Sequence, residues 1–183
     1  MELDLTFPAG LDVAWKAASA AQALPVSARS WLLDTGSLTD RIESLTDKFS
    51  LALVGEGNAP LHDAELSCLH AVTPADSDGK YIVREVLLMN GGTPWVFARS
   101  VIPLVLMETE FNQLGSQPLG KRLFNDDRFE RGAFELCKVN NSSFAGDTGI
   151  TLLGRRSCFH YRQHALLVAE LFLPASPVYQ TER

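Results

Sequence analysis

Beyond residue 80 the apolar positions run in β patterns. "KYIVREVLLMN" and "PWVFARSVIPLVLM" flank "GGT" and predict a hairpin. "RRSCFHYRQ" and "HALLVAELFLP" predict a second, with Pro174 ending the last apolar run. "FSLALVG" (49–55) and "RGAFELCKVN" read as further strands. Earlier, the alanine-rich "LDVAWKAASAAQAL" (11–24) predicts a helix that Pro25 stops. "GSLTDRIES" carries a helix start, with Ser37 as N-cap and Asp40 three residues on. "SQPLGKRLFN" predicts a short helix with Pro118 in its first turn. Residues 56–79 read as loop with at most one short helix, and "NSSFAGDTG" as a polar loop. The expected fold class is α+β: a single antiparallel sheet of about five or six strands, with helices covering a buried ligand cavity.

Charged residues interrupt these apolar strands. Glu170 shares its face with Leu166, Val168 and Phe172. Arg84 shares a face with Ile82, Val86 and Leu88, and Arg99 with Trp95, Phe97 and Val101. Arg155 and Arg156 open the second hairpin. A buried carboxylate costs several kcal/mol unless it is paired or protonated. An inert Arg–Glu pair satisfies that requirement. So does a pocket with an arginine at one end and a glutamate at the other, which suits a small acid carrying a distal hydroxyl. The helix starts at Leu38 and Leu119 add backbone N–H groups that their helices cannot use.

The 183 residues suffice for one domain, and a net charge of −6 without a basic tract argues against nucleic acid. No apolar run reaches the roughly 18 residues of a membrane span. The N-terminus has no signal-peptide pattern, so a cytoplasmic protein is expected. Cys68, Cys137 and Cys158 are odd in number and lack CxxC spacing, which predicts reduced core thiols. Cys158, His160 and His164 lie close together without metal-ligand spacing, so no metal is expected. His62 and His70 are expected to face water, "DDRFER" to be a solvated run, and Trp95 and Phe97 to be core. "NSS" (141–143) is a sequon in form only, and there is no GxGxxG, P-loop or GxSxG.

In order, "WLLDTGSLTDRI", "VREVLL", "PWVFARSVIP", "QPLGKRLF", "GRRSCF" and "AELFLPASPVY" resemble the chorismate pyruvate-lyase family over roughly residues 30–179. Residues 1–29 and 56–79 match poorly, and "NNSSFAGDTGI" looks longer than the family's loop. The resemblance implies a single domain over 1–183, with a helical extension at 1–29 and a loose tail at 180–183. It implies a bacterial enzyme, expected to be a monomer, that converts chorismate to 4-hydroxybenzoate and pyruvate without a cofactor, commonly for ubiquinone synthesis. Carried over residue by residue, it places product binding on Arg84, Glu170 and the backbones of Leu38 and Leu119, with Glu170 and Arg84 carrying the chemistry. Apart from the resemblance, their strand positions make Arg99 or Arg155 the expected partner of the pyruvyl carboxylate.

Two rival readings stay open. Effector domains of some bacterial transcription regulators look related to this fold, so a non-catalytic sensor of aromatic acids is one; the 29 poorly matched residues look too few for a DNA-binding helix-turn-helix. The other is a partner-binding domain in which Arg84 and Glu170 are merely satisfied.

Overall fold

The computed structural model describes residues 3–72, 79–140 and 143–180. Part of the "NSS" sequence, residues 73–78 of the predicted loop and the last three residues of the tail lie outside them. In chain order the elements are β1 (Lys16–Ala17), α1 (Val26–Leu32), α2 (Leu38–Glu43), β2 (Phe49–Gly57), α3 (Asp63–Val72), β3 (Tyr81–Asn90) and β4 (Thr93–Pro103). They continue with α4 (Leu104–Thr109), α5 (Leu119–Phe124), β5 (Glu130–Arg131), β6 (Glu135–Val139), β7 (Leu152–Tyr161) and β8 (His164–Phe172).

The strands form one antiparallel sheet in the order β1, β6, β7, β8, β4, β3, β2, with β5 also pairing with β7. Among the described residues the sheet thus has eight strands rather than five or six; β1 and β5 are two residues each, too short to leave a periodic signal. Both predicted hairpins are present. Gly91 and Gly92 turn between β3 and β4 at φ 54° and 83°, which glycine adopts without strain.

The helix expected over 11–24 does not form. Leu11, Val13 and Trp15 instead alternate along an extended segment that packs on Leu87, Phe97 and Leu171. Only Ala18–Ala23 is helical, as a 3-10 turn. Alanine content favours helix weakly, and packing an alternating apolar edge against the sheet outweighs it. Residues 63–72, within the stretch read as loop with room for one short helix, form the ten-residue α3, whose Leu69 is fully buried among Tyr81, Val101 and Leu167.

Both faces of the sheet are therefore covered. The extended N-terminal segment and α3 lie on one. On the other, Trp31, Leu32, Leu38 and Ile42 of α1 and α2 pack on Val86, Leu88 and Phe172. Leu119 and Leu123 of α5 join Phe159 and Leu166 on that same layer. Trp31 meets Phe172 edge-on at 6.1 Å, seating α1 on the end of β8. The central strands β3, β4, β7 and β8 are buried on both sides, so the charges they carry there must find partners in the interior.

Candidate active site

Register decides which charges meet. Residues directly opposite in an antiparallel pair project from the same face. Arg84 on β3 stands opposite Glu56 on β2 and Ser100 on β4. Glu170 on β8 stands opposite Ala98 on β4 and Arg155 on β7. Arg84 and Glu170 are thus two strands apart on one face, on the order of 10–12 Å between Cα atoms.

Between them lies a cavity of about 40 Å³. Its walls are apolar: Leu51, Val86, Leu88, Ala98, Leu123, Phe124, Phe159 and Val168. Leu38 and Thr39 of α2 and Pro118, Leu119 and Gly120 of α5 close it from above. Lys121 in the first turn of α5 also reaches Glu43 at the C-terminal end of α2, at 2.8 Å. Ser37 caps α2 by accepting the Asp40 N–H at 3.2 Å, as the spacing predicts. First-turn N–H groups at Leu38 and Leu119 have no acceptor within their own helices.

Arg84 is 2% exposed and donates to Glu56 Oε2 at 2.6 Å, to the Gly115 carbonyl at 2.8 Å and to that of Gln117 at 3.2 Å. The loop before α5 is therefore pinned on the same guanidinium that lines the cavity. Glu170 accepts from Arg155 Nε at 2.6 Å through Oε2. Arg155 Nη1 donates to the carbonyls of Trp31 (2.9 Å) and Asp34 (2.8 Å), tying β7 to the end of α1. Among the described residues no hydrogen bond reaches Oε1 of Glu170.

Arg99 is elsewhere. It projects from the opposite face, fully buried, donating to Glu65 (2.7 and 3.1 Å), Glu85 (2.8 Å) and the Pro60 carbonyl (3.0 Å). Glu85 in turn accepts from the Ala9 and Gly10 N–H groups, at 2.7 and 2.8 Å. This network fastens the N-terminal segment and α3 to the back of the sheet, which corrects the expectation that Arg99 could meet a substrate carboxylate. Arg155 is on the cavity's face, but it backs Glu170 and does not line the cavity.

Two residues at the site were read differently from sequence. Arg131, placed in a solvated run, lines the cavity with its guanidinium 4.7–4.9 Å from the rings of Phe124, Phe134 and Phe159. Burial pushes its pKa down to about 10, against the upward pull of Glu170. Arg131 is also the first residue of the predicted strand "RGAFELCKVN", which was the signal that the run turns inward. Glu56 was missed because "FSLALVG" ends just before it. His62, expected to face water, is half-buried and accepts the Leu11 N–H at 3.2 Å. The three cysteines are free thiols, two of them buried, and no metal-holding cluster of His, Cys, Asp and Glu occurs among the described residues.

The family model for chorismate lyase matches residues 10–183. The chain belongs to the chorismate lyase family. Curated relatives named "Probable chorismate pyruvate-lyase" include one from Pseudoalteromonas atlantica, 41% identical over 95% of this chain and 93% of that protein. Another, from Shewanella sp. (strain MR-4), is 38% identical over 94% and 92%. The chorismate lyase match thus begins before the motifs that carry the resemblance and takes in the extended segment packed on the back of the sheet. Among solved structures, a GntR-family transcriptional regulator from Enterococcus faecalis V583 aligns with a TM-score of 0.52 at 15% identity, over 73% of this chain and all of that one. The C-terminal domain of the histidine utilization repressor from Pseudomonas syringae pv. tomato aligns with a TM-score of 0.51 at 7% identity, over 74% and 96%. At such identities the likeness concerns the fold. Among the described residues no helix is long and apolar enough to cross a membrane.

Proposed function

We propose that this protein eliminates pyruvate from chorismate, giving 4-hydroxybenzoate. Membership of the chorismate lyase family and the names of its relatives support the activity. The observation that carries the site assignment is the opposition of Arg84 and Glu170 across a largely apolar cavity. Arg84 and the N–H groups of Leu38 and Leu119 take the ring carboxylate, and Glu170 takes the hydroxyl. Chorismate is a cyclohexadiene, so losing the hydrogen beside the hydroxyl together with the neighbouring enolpyruvyl group makes the ring aromatic. Aromatisation drives the reaction, and the protein's task is to hold a dianion in the eliminating geometry.

A cavity of about 40 Å³ holds a few waters and no six-membered ring. Access therefore requires the turns of α2 and α5 that cover the cavity to move outward. In this reading 4-hydroxybenzoate goes on to ubiquinone or a related aromatic product, and the enzyme works as a cytoplasmic monomer. The sensor alternative is supported only by fold likeness. The test is Glu170→Gln: kcat should fall about 10²- to 10⁴-fold, while affinity for 4-hydroxybenzoate changes far less. Unchanged turnover would remove Glu170 from the chemistry.

A further inference from the structure

Two buried side-chain nitrogens lack any hydrogen-bond partner among the described residues: Nε of Arg131 and Nη2 of Arg155. Both belong to arginines beside Glu170. A buried unsatisfied donor on a cation is costly, and only one of these arginines reaches the cavity. Arg155 spends its other donors on Glu170 and two carbonyls and stands behind the cavity wall. Arg131 is at the wall itself. Its contacts there are three aromatic ring faces and two carbonyls, of Asp34 and Thr35, at a long 3.4 Å. It makes no ion pair among the described residues, and the Asp34 carboxylate is taken by Arg41 at 2.8 Å.

The charges at the cavity do not balance. Arg84 is matched by Glu56, at 2.6 Å. At the other end Glu170 faces both Arg155 and Arg131, leaving one positive charge in surplus. Chorismate brings two carboxylates, of which the ring one lies toward Arg84. In a 1,2-elimination the ether-bearing carbon adjoins the hydroxyl-bearing carbon, so the enolpyruvyl arm lies at the Glu170 end.

We propose that Arg131 binds the enolpyruvyl carboxylate of chorismate, using its Nε donor, which nothing among the described residues satisfies. This rests on the chorismate reading above and adds the residue that distinguishes substrate from product. In the elimination the ring C–H gives its proton to a base and its electron pair to the new ring double bond. The C–O bond breaks with its pair on the ether oxygen, and the enolate takes a proton at carbon to become pyruvate. Arg131 holds the carboxylate next to that developing negative charge, where a preorganised cation lowers the barrier. The aromatic rings fix the guanidinium in place without occupying its in-plane donors.

The test compares Arg131→Gln and Arg131→Lys with wild type in two assays: kcat/KM for chorismate, and the Kd of 4-hydroxybenzoate, which lacks the second carboxylate. The Gln variant should lose on the order of 10- to 100-fold in kcat/KM, the scale of a charge-assisted hydrogen bond. Product affinity should stay within about twofold, since charge-assisted bonding to the ring carboxylate is untouched. The Lys variant, which keeps the charge, should recover part of the loss. Unchanged kcat/KM in both variants would overturn the inference. An equal fall in turnover and product binding would do so too, since it would mark a structural role. A wild-type protein releasing no pyruvate would overturn the underlying reading and this inference with it.

Discussion

Arg155 on β7 reaches across the sheet to Glu170 on β8 at 2.6 Å, and the same guanidinium holds the carbonyls of Trp31 and Asp34. Glu170 is therefore both paired and turned toward the cavity: one oxygen is committed to Arg155, and the other takes no hydrogen bond among the described residues. Pairing offsets the cost of burying a carboxylate in an apolar wall, and the unbound oxygen keeps it available to a ligand.

Removing Arg155 should thus injure stability and function together. Arg155→Met leaves Glu170 without its cation and should cost about 3 kcal/mol, the scale of breaking a buried pair. Urea unfolding measures that cost. Steady-state assays of the same variant should show kcat reduced about tenfold or more, because Glu170 loses the contact that orients it.

Glu56 competes with any carboxylate for Arg84. Its side chain is 33% exposed, so it can leave Arg84 at little cost when a ligand arrives. Replacing it as Glu56→Gln removes that competition and should tighten 4-hydroxybenzoate binding about three- to tenfold, a change near 1 kcal/mol as for partly exposed ion pairs. Calorimetric titration checks the sign; weaker binding would mean that Glu56 supports Arg84 more than it competes with it.

The network on the back of the sheet should respond oppositely. Arg99→Met leaves Glu65 and Glu85 buried without their shared cation, and about 3–5 kcal/mol of stability should be lost. Where the variant remains folded, its affinity for 4-hydroxybenzoate should match wild type, because Arg99 faces away from the cavity. A selective loss of ligand binding without loss of stability would contradict this placement.

Acid should loosen the corner behind Glu170. Burial works to raise the Asp34 carboxyl, but the Gly36 N–H, Arg41 and Arg155 outweigh it and hold its pKa below the ordinary 3.8. A folded pKa below the unfolded one contributes stability above the unfolded value, lost as pH falls through the folded one. Asp34→Asn should therefore destabilise the protein at pH 7 and make little difference in strong acid, as thermal unfolding at both pH values would show.

The sequence made the sheet's two hairpins and its charged strand positions legible, since alternation in "YIVREVLL" and "LLVAELF" assigns Arg84 and Glu170 to apolar faces. What it did not reveal was which faces coincide. That depends on register across three strands: β4 separates β3 from β8, and Ala98 and Ser100, not Arg99, turn out to share the cavity with Arg84 and Glu170. Arg131 was hidden for a different reason. In a run of charges the solvated reading is the default, and only tertiary packing of Phe124, Phe134 and Phe159 makes its position interior. The N-terminal segment misled because its alanines outnumber the three alternating residues that hold it to the sheet.

The most direct measurement is to incubate the purified protein with chorismate and follow pyruvate and 4-hydroxybenzoate together. Both products should appear at the same rate and in equal amounts, with Glu170→Gln suppressing both. Tight binding of 4-hydroxybenzoate with no release of pyruvate would contradict it and leave a sensor built around the same cavity.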